Sequence, residues 1–264
     1  MKLDYKTIKL EYPEKKILLV TLNRPAFSNA FNSEMAEEIH NLFEQLNNER
    51  SNVRVVVLTG QGSKAFSAGG DLKERNGMTN ESWFKQHLIF EKMIRSVINC
   101  KVPTIGAING AAYGGGCELA SALDFVYCAK KATFAQTETK IGIIPGIGGT
   151  QNLTNAVGKR RAKEIIFSAR PFSASEARDW GLVNAIFKSK ILLEETLKCA
   201  LAISQNAPIA IKAAKAAINK GSDMTLENGM KYELSQYNKT VTTKDRAEGV
   251  LAFNEKRKPN FKGS

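Results

Sequence analysis

The sequence predicts an α/β fold built on a parallel sheet and followed by a helical C-terminal module, on three observations. Apolar strand-like runs alternate with amphipathic helical runs from residue 16 to residue 187. The run 53–58 is apolar on both sides of its alternation, the pattern of a strand covered by helices. Beyond about Ile191 every periodic segment is helical, and the composition shifts towards Ala and Lys. A subdivision near residue 195 follows, with an α/β core over 1–195 and a helical module over 196–264.

Each element has its own signal. Residues 16–22 read as an apolar strand that Asn23-Arg24-Pro25 ends with a proline turn. Ser33 is the expected cap of a helix running to about Asn48, with Met35, Ile39, Leu42, Phe43 and Leu46 on one face. Strand 53–58 comes next. After Asp71 a polar, glycine-containing segment reaches about Thr79 and is the expected mobile wall of a pocket. Trp83, Leu88, Ile89, Met93, Ile94, Val97 and Ile98 then recur at helical spacing. Strand 104–108, a glycine turn, a short helix and strand 125–128 follow, then a strand-like stretch at 133–136 and a proline- and glycine-rich loop at 141–149. Ser173 caps a further helix, which Gly181 closes before a last strand at 183–187. Helices at 192–204, 208–219, 226–240 and 244–256 complete the chain, the second with proline in its first turn.

Composition narrows the function classes. With 264 residues and 43% hydrophobic content the chain can bury a sizeable core. Cys100, Cys117, Cys128 and Cys199 show no metal-ligand spacing and read as reduced core thiols. The only histidines, His40 and His87, lie in helical patterns without partners at ligand spacing, so no metal site and no Ser-His-Asp triad can be argued. No apolar window reaches the length of a signal peptide or a membrane span, and Lys262-Gly263-Ser264 is not a peroxisomal ending, which gives the expectation of a cytoplasmic protein. The formal charge of +12 predicts an anionic partner.

Two glycine-rich stretches carry the chemistry. Asn109-Gly110-Ala111-Ala112-Tyr113-Gly114-Gly115-Gly116-Cys117-Glu118-Leu119 reads as strand, glycine turn and helix start. Consecutive glycines there let backbone approach a neighbour closely and leave the first helical N–H groups unpaired. Ala65-Phe66-Ser67-Ala68-Gly69-Gly70-Asp71-Leu72-Lys73-Glu74 repeats the theme after the strand at 53–58. Two backbone N–H sources converging on one oxygen are the minimum for an oxyanion hole. Neither stretch has the glycine spacing of a dinucleotide fingerprint or a P-loop. Taken alone, each glycine cluster is equally compatible with tight turn packing, and Glu118 with simple complementation of a helix dipole.

These stretches, with Leu22-Asn23-Arg24-Pro25, Asn29-Ala30, Gln136-Thr137-Glu138, Gly142-Ile143-Ile144-Pro145-Gly146, Gly148-Gly149-Thr150-Gln151 and Phe253-Asn254-Glu255-Lys256-Arg257, closely resemble the crotonase, or enoyl-CoA hydratase/isomerase, family. The resemblance covers essentially the whole chain and is nearest to the hydratases, including the methylglutaconyl-CoA hydratase branch. It implies a spiral of repeated ββα units with a C-terminal trimerisation module, in a trimer or a dimer of trimers. It also implies an enoyl-CoA hydratase, a carbon–oxygen lyase that needs no cofactor beyond the coenzyme A of its substrate.

By the same resemblance the backbone N–H groups of Gly70 and Gly115 form the oxyanion hole. Glu118 takes a proton from the attacking water and Glu138 supplies one to C2. Coenzyme A is expected to meet Arg24, Ala68, Asp71, Leu72 and Lys73, with Phe253 and Lys256 reaching its adenine end from a neighbouring subunit. Tyr113, Pro145 and Gly146 are the expected acyl-pocket residues. Relatives that lack one or both glutamates isomerise, decarboxylate or hydrolyse instead, so isomerisation or another thioester-enolate reaction is the first alternative. RNA binding with secondary catalysis is the alternative of another class. Dispersed basic residues, clustered no further than Lys256-Arg257-Lys258, argue against a specific nucleic-acid site.

Overall fold

A computed structural model of the chain describes residues 5–47 and 51–264. The expected helix end at Asn48 and the first four residues lie outside the described residues.

Strand β1 (Ile8–Glu14) turns back antiparallel onto β2 (Ile17–Leu22). Helix α1 (Ser33–Leu46) buries Met35, Ile39, Leu42, Phe43 and Leu46, the predicted face. Its cap is Asn32, one residue ahead of the expected Ser33: the Asn32 side chain accepts from Met35 N at 3.0 Å. Ser33 is instead the first helical residue, and its N–H and hydroxyl both donate to Glu74.

Three successive turns of the chain then follow one plan. Strands β3 (Val55–Gly60) and β4 (Ala65–Ser67) precede α2 (Leu72–Arg75) and α3 (Asn80–Ile98). Strands β5 (Thr104–Ile108) and β6 (Ala111–Tyr113) precede α4 (Gly115–Ala122). Strands β7 (Phe125–Ala129) and β8 (Thr133–Ala135) precede a 3-10 turn at Glu138–Ile141 and α5 (Gly149–Ser168). In each turn the first strand joins one sheet and the second strand joins another, which is a ββα spiral. Strands β9 (Phe172–Ser173) and β10 (Ala185–Phe187), on either side of α6 (Ala174–Asp179), close the sheets. The large sheet runs β1-β2-β3-β5-β7-β10 and is parallel from β2 onward; the small one runs β4-β6-β8-β9 and is parallel except for β9.

Both faces of the large sheet are covered, as the doubly apolar run at 53–58 requires. Val56 and Leu58 join the main core with α1 and α3, while Val55 and Val57 join a second cluster with Leu192 and Ala200. Those last two belong to α7 (Leu192–Ser204), so the division expected at 195/196 falls inside a helix packed on the sheet. Helices α8 (Pro208–Gly221), α9 (Leu226–Val241) and α10 (Lys244–Asn254) follow, with starts at the predicted residues. Asp245 in α10 accepts from the N–H groups of Lys262 and Gly263, which folds the C-terminal segment back along the helix.

Candidate active site

The turn between β6 and α4 explains the glycine triplet. Gly114 adopts φ +52°, ψ −126°, which favours glycine, and its N–H donates to Ala135 O at 2.8 Å. A Cβ on Gly116 would lie 2.1 Å from Ser67 O, so only glycine lets α4 start against β4. Gly115 sits between them as the first residue of α4. Its would-be Cβ lies 3.6 Å from Gly70 N, and a Cβ on Gly69 would lie 2.7 Å from Gly115 N. The two glycine stretches are therefore in backbone contact. Neither the Gly70 nor the Gly115 N–H donates to protein among the described residues.

Gly70 and Gly115 line a cavity of about 590 Å³ that Glu118 and Glu138 also line. Glu118, in the first turn of α4, is buried, and its Oε1 accepts from Ile147 N at 2.9 Å and Gly149 N at 2.8 Å. Burial raises its pKa, while those two N–H groups and the positive charge of Arg75 oppose the rise. Glu138 opens the 3-10 turn after β8. Its Oε2 is buried with no hydrogen-bond partner among the described residues. Burial first, then the charge of Glu118, pushes its carboxyl up to about 7. Burial raises both carboxyls, and they differ in their contacts: Glu118 Oε1 accepts two backbone N–H groups, whereas Glu138 Oε2 has no partner among the described residues.

Of the residues singled out in the sequence, Ala68, Gly70, Leu72, Gly115, Glu118, Glu138 and Gly146 line this cavity. Pro145 and Tyr113 do not. Pro145 is buried behind the cavity wall against Gly149, and the Tyr113 hydroxyl bonds Thr133 Oγ1 at 3.1 Å on the small sheet. Arg24 is committed elsewhere, to Asp71 at 2.9 Å and Ala30 O at 2.6 Å, with its guanidinium 4.5 Å from the Phe27 ring centroid. Asp71 thereby caps α2 and neutralises Arg24, and the exposed Lys73 lies 5.7 Å over the same ring. Phe253 is 83% exposed and Lys256 follows the end of α10; neither lines the cavity within one chain.

The cavity wall also contains residues that the sequence reading left without a role: Phe31, Arg75, Trp83, Phe84, His87 and Phe90. Arg75 ends α2, inside the polar segment expected as a mobile pocket wall but without a role of its own, and stacks at 4.2 Å from the Trp83 ring centroid. His87 Nε2 lies 3.1 Å from Gly146 O, so it bridges α3 to the loop before α5.

Two linked sheets in a ββα spiral, with paired glycine N–H groups at the start of a helix, define the crotonase-fold class. The enoyl-CoA hydratase/isomerase family model matches residues 13–264, and the chain belongs to that family. The mitochondrial enoyl-CoA hydratase of Pongo abelii is 42% identical over 244 residues, 92% of this chain and 83% of that protein. The short-chain-enoyl-CoA hydratase of Clostridium acetobutylicum is 38% identical over 245 residues, 93% of this chain and 94% of that protein. Among solved structures, an enoyl-CoA hydratase from Bacillus anthracis superposes with a TM-score of 0.96 at 42% identity, covering 98% of this chain and all of that one.

Proposed function

We propose that the protein hydrates a 2-enoyl-CoA to a 3-hydroxyacyl-CoA. The observation that carries this reading is the pair of buried carboxylates, Glu118 and Glu138, on the same cavity as the unpaired N–H groups of Gly70 and Gly115. Hydration needs fixed donors where charge builds on the thioester oxygen, a base for the attacking water, and an acid for C2. Gly70 and Gly115 supply the donors. Glu118, its Oε1 anchored by two backbone N–H groups, is the base, and Glu138, protonated near neutral pH, is the acid. Water bound between them adds its oxygen to C3 as its proton passes to Glu118, and the Glu138 proton goes to C2.

Leu72, exposed and lining the cavity, supports entry of the coenzyme A thioester past α2, with Lys73, which forms no ion pair among the described residues, as the cation beside Arg24. Assembly into a trimer or a dimer of trimers is supported by an exposed apolar face on α8 and α9, including Ile218, Met230, Leu234 and Tyr237.

The test is loss of the conjugated-enoyl absorbance on incubation with a panel of 2-enoyl-CoA thioesters, repeated with Glu118→Gln and Glu138→Gln. A hydratase loses on the order of 100- to 10,000-fold in kcat in each variant. Failure to turn over any 2-enoyl-CoA overturns the reading. Dependence on only one glutamate, with 3-enoyl-CoA as the better substrate, replaces hydration with isomerisation.

A further inference from the structure

Glu118 and Glu138 are held by different means. Glu118 Oε1 is gripped by the N–H groups of Ile147 and Gly149, from a distant part of the chain. Glu138 has no such grip. Its Oε2 is buried without a partner among the described residues, and the N–H groups that favour its charge, those of Thr137 and Glu138, belong to its own turn. Its place in the cavity is therefore set by whatever fixes that turn. Bonds inside the turn give it its shape: Lys140 N to Thr137 O at 3.1 Å, Gly142 N to Thr139 O at 3.3 Å and Ile143 N to Glu138 O at 3.3 Å. They do not tie it to the rest of the molecule.

One hydrogen bond does. Thr139 Oγ1 donates to Ile166 O at 2.9 Å. Among the described residues no other hydrogen bond joins the backbone or hydroxyl groups of residues 137–143 to another element. Ile166 lies in the last turn of α5, where helical carbonyls have no partner four residues on. Ala169 N satisfies Ile165 O, and the threonine hydroxyl satisfies Ile166 O. The anchor is firm, since Ile165 and Ile166 both belong to the main core. Thr139 itself is exposed and adds no buried side chain to that core. On the cavity side, Glu138 Oε1 and Thr137 Oγ1 lie 3.1 and 3.4 Å from where a Cβ on Gly114 would be, so the turn is seated closely against the entry to α4.

We infer that Thr139 is a positioning residue: its hydroxyl, hooked on Ile166 O, holds the turn so that Glu138 meets the reacting carbon. This rests on the reading of Glu138 as the acid and deepens it. A loosened turn moves the carboxyl and admits water to it, and misplacement by about 1 Å is enough to cost on the order of 100-fold in rate. The titratable groups facing Glu138 are Glu118 and the buried Cys117, both on α4. Thr139 carries no charge, so its removal acts on Glu138 through position alone.

The experiment uses Thr139→Val, which keeps the shape and removes the donor, and Thr139→Ser, which keeps the donor. With the 2-enoyl-CoA that the wild type turns over fastest, Thr139→Val lowers kcat on the order of 10-fold at unchanged KM, the pattern of an interaction that matters only in the transition state. The descending limb of kcat/KM, near pH 7 in the wild type, moves down by on the order of one pH unit as water reaches a carboxyl that burial had raised. Thr139→Ser restores both. Melting temperatures near that of the wild type verify folding; if Thr139→Val does not fold, Thr139→Ala is read by the same criteria. An unmoved limb in Thr139→Val overturns the inference whatever happens to kcat, and so does an equal loss in Thr139→Ser. Should the wild type hydrate no 2-enoyl-CoA, the hydratase reading fails separately. Titration of the Glu138 carboxyl by carbon-13 NMR, assigned with Glu138→Gln, then decides the role of Thr139. A midpoint lowered in Thr139→Val and restored in Thr139→Ser sustains the inference, and the same midpoint in Thr139→Val as in the wild type overturns it.

Discussion

At Glu138, burial and the neighbouring Glu118 charge favour the protonated form up to about pH 7, against 4.5 for a free glutamate. A group whose folded pKa is raised binds more protons folded than unfolded between those two values, so stability is full below about 4.5 and is lost as pH rises to about 7. Glu138→Gln, neutral at every pH, is expected to flatten this dependence in urea melts and to be more stable than the wild type at pH 8 by on the order of 1–3 kcal/mol. In the wild type kcat/KM should fall above about pH 7, as the acid loses its proton. A second residue-scale prediction concerns Gly149, whose N–H holds Glu118. A Cβ there would lie 2.8 Å from Glu118 Cγ and 2.8 Å from Pro145 Cβ. Gly149→Ala should lower kcat on the order of 100-fold by displacing the carboxylate, with a smaller effect on melting. Gly70, Gly115 and Glu118 were legible as residues because glycine clusters before an acid are rare enough to notice, and Glu138 only through the family resemblance of Gln136-Thr137-Glu138. Arg75 was not, since a charge in a polar, glycine-containing stretch reads as solvated surface until Trp83, Gln86 and Phe90 are seen around it.

Among the elements, α4 depends most on a single atom count. Gly116 lets its first turn approach Ser67 O, where a Cβ would lie at 2.1 Å. Gly116→Ala should cost about 3 kcal/mol or more by forcing α4 off β4, measurable as a lowered denaturant midpoint. Loss of activity should accompany it, because Gly115 and Glu118 move with the helix. Several helices were readable from a cap or an apolar face: Thr79, Thr225 and Thr243 cap α3, α9 and α10, and a Ser173–Glu176 capping box opens the short α6. Strands β4, β6 and β9, of two or three residues, are too short to show a period, and they build the small sheet. Helix α5 escaped for a different reason. Gly158, at φ +76° and ψ 156°, breaks it into two segments whose apolar positions do not line up on one face.

For the whole molecule, the exposed apolar face of α8 and α9 is the feature a single chain leaves unsatisfied. If this face forms the proposed trimer, Met230→Lys combined with Leu234→Glu should leave only monomers in sedimentation velocity where the wild type shows the larger species. Activity should fall with it if Phe253 and Lys256, exposed on one chain, complete the neighbouring coenzyme A site. By itself the sequence determined the α/β class, the positions of the helices from 192 onward and the acid–base and oxyanion candidates, because these follow from periodicity, caps and motifs local in the chain. Only the tertiary structure decided that Glu118 Oε1 is anchored by the Ile147 and Gly149 N–H groups, that Arg24 is spent on Asp71, and that Arg75 lines the cavity. The first two depend on partners 29 and 47 residues away in the chain, Glu118 with Ile147 and Arg24 with Asp71, and the third on the packing of Trp83, Gln86 and Phe90 around Arg75, which no local pattern records.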